Sequence, residues 1–148
     1  MRNYIGWIWS SLSRRRWKRY TSQSFKLAFE YPPNWIRIEE ERYQGRDGFF
    51  QIAAASGEDG LDAVCQREAH HKFKPYGTNP KLKPVRHAGR AACYVFPSVD
   101  QPTEMKTQSA FIVEYPAPVQ IAGQTCRFLV LWADEEHIRN IVKTLTFK

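Results

Sequence analysis

A chain of 148 residues is long enough for one domain with a substantial hydrophobic core and too short for two ordinary domains. Hydrophobic and charged residues make up 43% and 25% of it, proportions typical of a soluble globular protein rather than a low-complexity chain. The net charge of +7 is uneven, because residues 1–20 hold six basic side chains and no carboxylate, whereas the rest carries 16 basic and 15 acidic side chains. A nearly neutral body argues against a nucleic-acid-binding groove.

Residues 1–20 are predicted to form a basic, tryptophan-rich arm that precedes a single domain over residues 22–148. From Asn3 to Ser13 the arm is uncharged, and its apolar side chains fall on one arc of a helical wheel. This run is far shorter than the roughly 20 residues of a membrane-spanning helix. Its cations follow the apolar run, whereas those of a secretory signal precede it. The arm is therefore not expected to be a transmembrane segment or a signal peptide.

Tryptophans beside arginines are typical of a helix lying at a membrane interface or of a segment that binds an anionic partner. The alternative is an extension without a function. The side chains expected to contact an anionic surface are Trp7, Trp9, Arg14, Arg15, Arg16, Trp17, Lys18 and Arg19.

Strict alternation over residues 24–31 predicts the first strand of the domain, with Lys26 and Glu30 facing water. Two prolines and Asn34 then predict a turn, because proline cannot extend a hydrogen-bonded ladder. A short strand from Trp35 to Ile38 is expected next. A third strand, from Phe49 to Ala55, is apolar on both faces and is a candidate for the middle of the sheet.

A helix from Gly60 to about Lys72 is predicted, with Asp59 as its N-cap. Residues 73–84 contain three prolines and predict a loop. Strands are expected at 82–87 and 91–96, joined by a hairpin turn at His87–Arg90. A further strand at 108–115 is expected to be interrupted by Pro116 and Pro118, and a short strand at 119–121 leads into the last one.

The closing stretch carries the clearest pattern in the chain. From Phe128 to Trp132 both alternating faces are apolar, which predicts a strand covered on both sides. Asp134 then stands at the N-cap position of a helix over 135–145, with two glutamates in its first turn. The apolar stripe of this helix consists of Ile138, Ile141, Val142 and Leu145. We therefore predict a layered α+β domain with six or seven strands and two helices.

The three cysteines, Cys65, Cys93 and Cys126, each lie in an apolar pattern and lack metal-ligand spacing. We expect buried free thiols in a reducing compartment, and hence a cytoplasmic protein. A bridge between Cys93 and Cys126 is the alternative.

Phe25-x-Leu27-x-Phe29-x-Tyr31-Pro-x-x-Trp35 resembles the opening of the Mog1/PsbP-like domains. The resemblance implies an α/β/α sandwich, with a mostly antiparallel central sheet of six or seven strands and helices on both faces. Members of the wider superfamily are adaptors, of which one binds a small nuclear GTPase and another a photosystem. The resemblance therefore implies a binding or accessory role with a protein partner and no cofactor.

Other strings resemble a group of uncharacterised proteins from Bacillus-like bacteria that carry the labels "TolB domain" or "peptidase M56". They are residues 43–50, 75–80, 96–102 and 131–134. The peptidase label has no support in the residues, because the His-Glu-x-x-His motif is missing and Glu68-Ala-His70-His71 has the wrong spacing for it.

Two groups of residues are candidates for catalysis, although core or surface positions explain them as well. Cys65 lies on a buried stripe and stacks poorly on either neighbouring histidine, so it is a weak nucleophile candidate. Glu68 and His71 are three residues apart on the predicted helix and would need a third metal ligand from Asp47 or Asp100. A small metal-dependent hydrolase built on these residues is the alternative function.

Loops around the strand ends suggest a binding patch instead, because recognition usually lies in loops on a rigid sheet. Its candidate residues are Asp47, Tyr76, Asn79, Asp100, Gln101 and Lys106. Turn chemistry explains Asn79, Asp100 and Asp134 equally well. We predict a non-catalytic binding or accessory module whose arm holds it at an anionic membrane surface.

Overall fold

Ten strands and two α-helices make up residues 16–148, the part of the chain that the computed structural model describes. In chain order they are β1 (Lys18–Ser22), β2 (Leu27–Tyr31), β3 (Ile36–Glu39), β4 (Arg42–Gly45), β5 (Gly48–Ala55), α1 (Leu61–Ala69), β6 (Lys81–His87), β7 (Arg90–Phe96), β8 (Gln108–Ile121), β9 (Gln124–Asp134), α2 (Glu135–Lys143) and β10 (Thr146–Phe147).

Seven strands form one antiparallel sheet in the order β3-β4-β5-β9-β8-β7-β6. β9 is its central strand, as expected for an apolar run that must be shielded from water on both faces. Leu129 and Leu131 are fully buried toward the inner face, and Phe128 and Val130 are buried toward the outer face. The prediction that the closing strand is covered on both sides is confirmed.

The inner face of the large sheet is covered by a second sheet and by α2. β1, β2 and β10 form this three-stranded antiparallel sheet. The rings of Tyr20 and Phe29 lie 5.1 and 4.8 Å from that of Phe50 on β5. Ile138 and Ile141 of α2 are fully buried in the same hydrophobic cluster. Strands therefore contribute to this layer as well as a helix.

α1 packs on the outer face, where Val64 and Cys65 join a cluster with Ile112 and Phe128. It contacts β6, β7 and β8. Because α1 has nine residues and is therefore only about 14 Å long, it covers only part of a seven-stranded sheet.

The predicted α/β/α sandwich, with helices layered on both faces, is wrong. The described chain is mostly antiparallel strand, and its two α-helices have nine residues each. Seven strands span roughly 29 Å at their usual spacing, which exceeds what one such helix can cover. The sequence pattern misled us because an apolar stripe identifies the buried side of a helix without showing how much sheet the helix covers.

The prediction of three buried free thiols is confirmed for Cys126 and wrong for the other two cysteines, because Cys65 and Cys93 form a disulfide. Cys65 lies on the buried side of α1, and Cys93 lies on the strand beneath it. Cys126 is a buried free thiol on the inner face, the side of the sheet away from Cys93, so the alternative Cys93–Cys126 bridge is wrong as well. The argument for a reducing compartment therefore loses its basis.

Several strand boundaries were not predicted. β1 pairs with β2, with Lys18 opposite Tyr31, so it crosses the expected border between arm and domain. β8 continues through Pro116 and Pro118, because the register with β9 shifts between Glu114 and Val119 and the prolines lie beyond the residues paired with β7.

Candidate functional site

Asp134 joins the end of β9 to the start of α2. It caps the helix as predicted, since its Oδ2 accepts a hydrogen bond from the backbone N–H of His137 at 3.2 Å. Its Oδ1 accepts from the backbone N–H of Phe49 on β5 at 3.1 Å. The residue is buried. One carboxylate therefore fixes the helix to the neighbouring strand.

His137 lies between two carboxylates. Its Nδ1 is 2.6 Å from Oδ2 of Asp134, and its Nε2 is 3.6 Å from Oδ2 of Asp47. The edge of its ring packs on Trp35 with the ring centroids 5.1 Å apart. The hydrogen bond to Asp134, followed by the charges of Asp134, Asp47 and Glu136, raises the pKa of His137 above 6.5 although burial opposes this. Each ring nitrogen of His137 therefore faces a carboxylate oxygen, an arrangement that favours the protonated ring.

Asp47 belongs to the turn between β4 and β5. Its Oδ1 accepts from Trp35 Nε1 at 2.8 Å and from Asn34 Nδ2 at 3.4 Å. The bond from Trp35 is the main cause that lowers the pKa of Asp47 below 3.8. The next residue, Gly48, has no room for a side chain, because the turn lies directly against Asp134. A Cβ at this position would be 2.1 Å from Asp134 Oδ1 and 2.7 Å from the Trp35 ring. We call Trp35, Asp47, Asp134 and His137 the clamp.

A cleft of about 550 Å³ opens beside the clamp. One wall is the β4–β5 hairpin, where the Arg42 guanidinium lies 4.5 Å above the Phe49 ring and donates to Gln44 and Gln51. The other wall is the segment before β8. The charged residues along the cleft are Arg42, Arg46, Asp47, Glu104, Lys106, Asp134 and Glu136.

The wall before β8 has an unusual backbone. Lys106 and Thr107 both have positive φ, 51° and 59°, and this conformation is strained for the β-branched Thr107. It is held by α2, because the N–H of Glu135 donates to the Thr107 carbonyl at 2.9 Å. Both walls of the cleft are therefore attached to the first turn of α2.

The structure does not bring the predicted binding residues together at one place, and their role in binding stays a prediction. Asp47 and Lys106 line the cleft. Lys106 also lines a neighbouring hollow together with Gln101. Tyr76 is fully buried, and Asn79 is exposed on its loop.

Asp100 organises a loop. It accepts hydrogen bonds from the hydroxyls of Ser98 and Thr78 and from the backbone N–H of Thr78. These bonds, that of Ser98 first, lower the pKa of Asp100 to about 2. Gln101 donates to the carbonyls of Pro75 and Gln108, at 3.0 Å each. Turn formation therefore accounts for the contacts of Asp100.

Glu68 is occupied by structural hydrogen bonds. Its Oε2 accepts from the Tyr76 hydroxyl and from Trp132 Nε1, the latter at 2.8 Å. Burial raises the pKa of Tyr76 well above its usual range. His71 lies on the exposed turn after α1, where its Nδ1 accepts from the N–H of Phe73. This arrangement lends no support to the hydrolase alternative.

Among the described residues, the group with metal-ligand atoms close together is Asp134, Glu136 and His137 rather than Glu68 and His71. It fits a metal poorly, because Asp134 already accepts from Phe49 and His137 through both oxygens. The positive end of the helix dipole also disfavours a cation there.

Part of the predicted arm lies in the described range. Arg16, Lys18 and Arg19 are exposed, and Trp17 is half-buried against the inner-face cluster. Trp7, Trp9, Arg14 and Arg15 lie outside the described residues. Over residues 16–148, each helix is too short and too polar to cross a bilayer.

The main residue that sequence reasoning missed is His137. Its signal was its position three residues after an N-cap aspartate, the spacing at which a side chain can reach back to its cap. Arg42, Arg46 and Glu104 were missed as well, because no local sequence pattern connects these three residues with one another or with the cleft.

Comparison with known proteins places the fold. No protein-family model and no curated protein matches the chain. Among solved structures, the solution structure of cyanobacterial PsbP (CyanoP) from Synechocystis sp. PCC 6803 matches with a TM-score of 0.51 and 9% sequence identity. The match covers 90% of this chain and 93% of that one. The fold is thus PsbP-like, and the comparisons show no link to the Bacillus-type group.

Proposed function

We propose that this chain is a non-catalytic binding module that recognises a protein partner through the cleft beside the clamp. The observation that carries the proposal is that both ring nitrogens of His137 face carboxylates. A general base needs a neutral nitrogen that is free to reach a substrate. His137 is also not among the residues that line the cleft, so the group that most resembles a catalytic base holds the fold rather than faces the cleft.

The other candidate nucleophiles support the same conclusion. Cys65 and Cys93 are oxidised to a disulfide, and Cys126 is buried. An activated thiol would need an exposed, electropositive setting.

The lining of the cleft favours a polypeptide of mixed charge. Arg46 and Lys106 present cations, and Glu104 and Glu136 present carboxylates in the same space. A nucleic-acid backbone would be repelled by the two glutamates, whereas a peptide can match both signs of charge. Loops and hairpins on a rigid sheet also suit recognition.

Capture experiments with matched charge reversals test the cleft. The full chain, an Arg46→Glu/Lys106→Glu variant and a Lys81→Glu/Lys83→Glu variant are immobilised and exposed to an extract of the source cell. Because β6 lies at the opposite edge of the sheet, its variant controls for net charge. The proposal predicts a partner that the wild type and the β6 variant retain and the cleft variant loses. Equal retention by all three would contradict it.

We further propose that the arm attaches the module to an anionic membrane surface. The exposed Lys18 and Arg19 of β1 extend its basic cluster onto the domain. Flotation with anionic vesicles tests this, using a deletion of residues 1–15 that leaves β1 paired with β2. The full chain should float with the vesicles, and the shortened chain should not. Equal flotation of both would refute the membrane proposal.

A further inference from the structure

The first turn of α2 is hydrogen-bonded to both walls of the cleft. Asp134 holds the β4–β5 hairpin through the N–H of Phe49, and the N–H of Glu135 holds the opposite wall through Thr107. His137, in the same turn of helix, makes the remaining link to the hairpin through Asp47. This last link joins the helix to the exposed tip of the β4–β5 wall.

The link between His137 and Asp47 depends on a single proton. An imidazolium has two N–H groups and can serve both carboxylates, but a neutral imidazole has only one. The proton on Nδ1 stays, because Asp134 is 2.6 Å away and buried. Deprotonation therefore removes the proton from Nε2 to solvent. A bare nitrogen lone pair then faces the Asp47 carboxylate, and the attraction is lost.

The described charged groups that act on His137 come from three elements. They are Asp134 at the end of β9, Asp47 in the β4–β5 turn and Glu136 on α2 itself. All three are acidic and favour the charged ring, while burial and the positive end of the α2 dipole oppose it. The acidic groups prevail, and the pKa of His137 lies above 6.5.

We propose that the clamp is a pH-sensitive gate, in which loss of the Nε2 proton of His137 releases the tip of the β4–β5 hairpin and weakens binding in the cleft. The part that concerns binding rests on the proposed function. Trp35 and the Phe49 N–H still hold the hairpin after release, so the wall loosens without unfolding.

Hydrogen exchange on the full chain tests the gate without any partner. Exchange of the Gly48 amide, at the end of the β4–β5 turn, is followed from pH 6 to pH 9 and corrected for intrinsic base catalysis. Since a partly exposed charge pair contributes roughly 0.2–1 kcal/mol, protection should fall by about 1.4- to 5-fold as His137 deprotonates. In His137→Gln the corrected protection should not change with pH.

Asp47→Asn provides a second variant if His137→Gln does not fold, because it keeps an acceptor for Trp35 and removes the charge that faces His137. The pH step should disappear in it. A step that persists in Asp47→Asn, or a wild-type profile as flat as that of His137→Gln, would overturn the gate.

Capture from the same cell extract at pH 6 and at pH 8.5 distinguishes the pH-sensitive gate from the proposed binding function. Weaker capture at the higher pH supports the gate, and equal capture at both pH values contradicts it. An exchange step without capture by the cleft contradicts the proposed function and leaves the gate in place.

Discussion

The two helices of this chain are attached to the same sheet by different chemistry. α1 is joined to β7 by the Cys65–Cys93 disulfide and to β9 by Glu68, which accepts from Trp132. α2 is joined to β5 and to the β4–β5 turn by Asp134 and His137. The first attachment should respond to reductants and the second to protons. Each attachment can therefore be broken separately.

The largest effect is expected from Asp134→Ala. It removes the N-cap of α2, the acceptor for Phe49 and the buried partner of His137, and breaking such a pair costs roughly 3–5 kcal/mol in free energy of unfolding. Asp59→Ala is the matched control. Asp59 was predicted to cap α1, but it pairs with Arg67 on the exposed surface, so its loss should destabilise the fold much less than the loss of Asp134. Urea denaturation measures both, and equal losses would contradict the assignment.

Reduction of the disulfide should be the next largest effect. The cysteines are 28 residues apart, and a cross-link that closes such a loop contributes about 3–4 kcal/mol on the chain-entropy estimate. The urea midpoint should drop when a reductant is added to the wild type. It should not respond to reductant in Cys65→Ala/Cys93→Ala. If the urea midpoint of the wild type is the same with and without reductant, the Cys65–Cys93 disulfide is ruled out.

Replacing each of two buried tyrosines by phenylalanine compares the loss of a hydrogen-bonded hydroxyl with the loss of one that has no partner among the described residues. Tyr76→Phe removes a donor to Glu68 and should cost about 1–3 kcal/mol in free energy of unfolding. The buried hydroxyl of Tyr115 has no hydrogen-bond partner among the described residues. Tyr115→Phe should therefore leave stability unchanged or raise it. If both variants lose the same free energy of unfolding, the hydrogen bonds that Glu68 accepts from Tyr76 and Trp132 do not anchor α1.

The smallest effect is the pH dependence of stability that arises from α2. Because the folded pKa of His137 is raised, its contribution is complete below about pH 6.5 and is lost as the pH rises through the folded pKa. Relative to His137→Gln, the wild type should lose about 1 kcal/mol or less over this window. If the stability of the wild type relative to His137→Gln instead increased with pH, the folded pKa of His137 would be lowered rather than raised, and the clamp would be contradicted.

Features set by neighbouring residues could be predicted from the sequence. The apolar run before Asp134 identified the central strand, and the polar residue before a helical stripe identified the cap of α2. Both depend on a few consecutive side chains. The candidate site could be predicted only in part, since Asp47 and Lys106 were named but nothing local connects them to each other.

Features that depend on residues distant in the chain were missed. β1 and β10 are short strands whose pairing with β2 exists only after the inner layer has assembled. The partner of Cys65 depends on which strand α1 covers, and the clamp brings Asp47 to within 3.6 Å of His137, 90 positions further on. Sequence spacing carries no information on such contacts.

The most direct test of the account is an NMR titration of the His137 imidazole in the full chain. The account predicts that both ring nitrogens carry protons at pH 6.5 and that the ring titrates above this value, with a lower pKa in Asp47→Asn. A ring that is already neutral at pH 6.5, or a pKa of His137 that is unchanged in Asp47→Asn, would contradict the charge link between His137 and Asp47 on which the clamp depends.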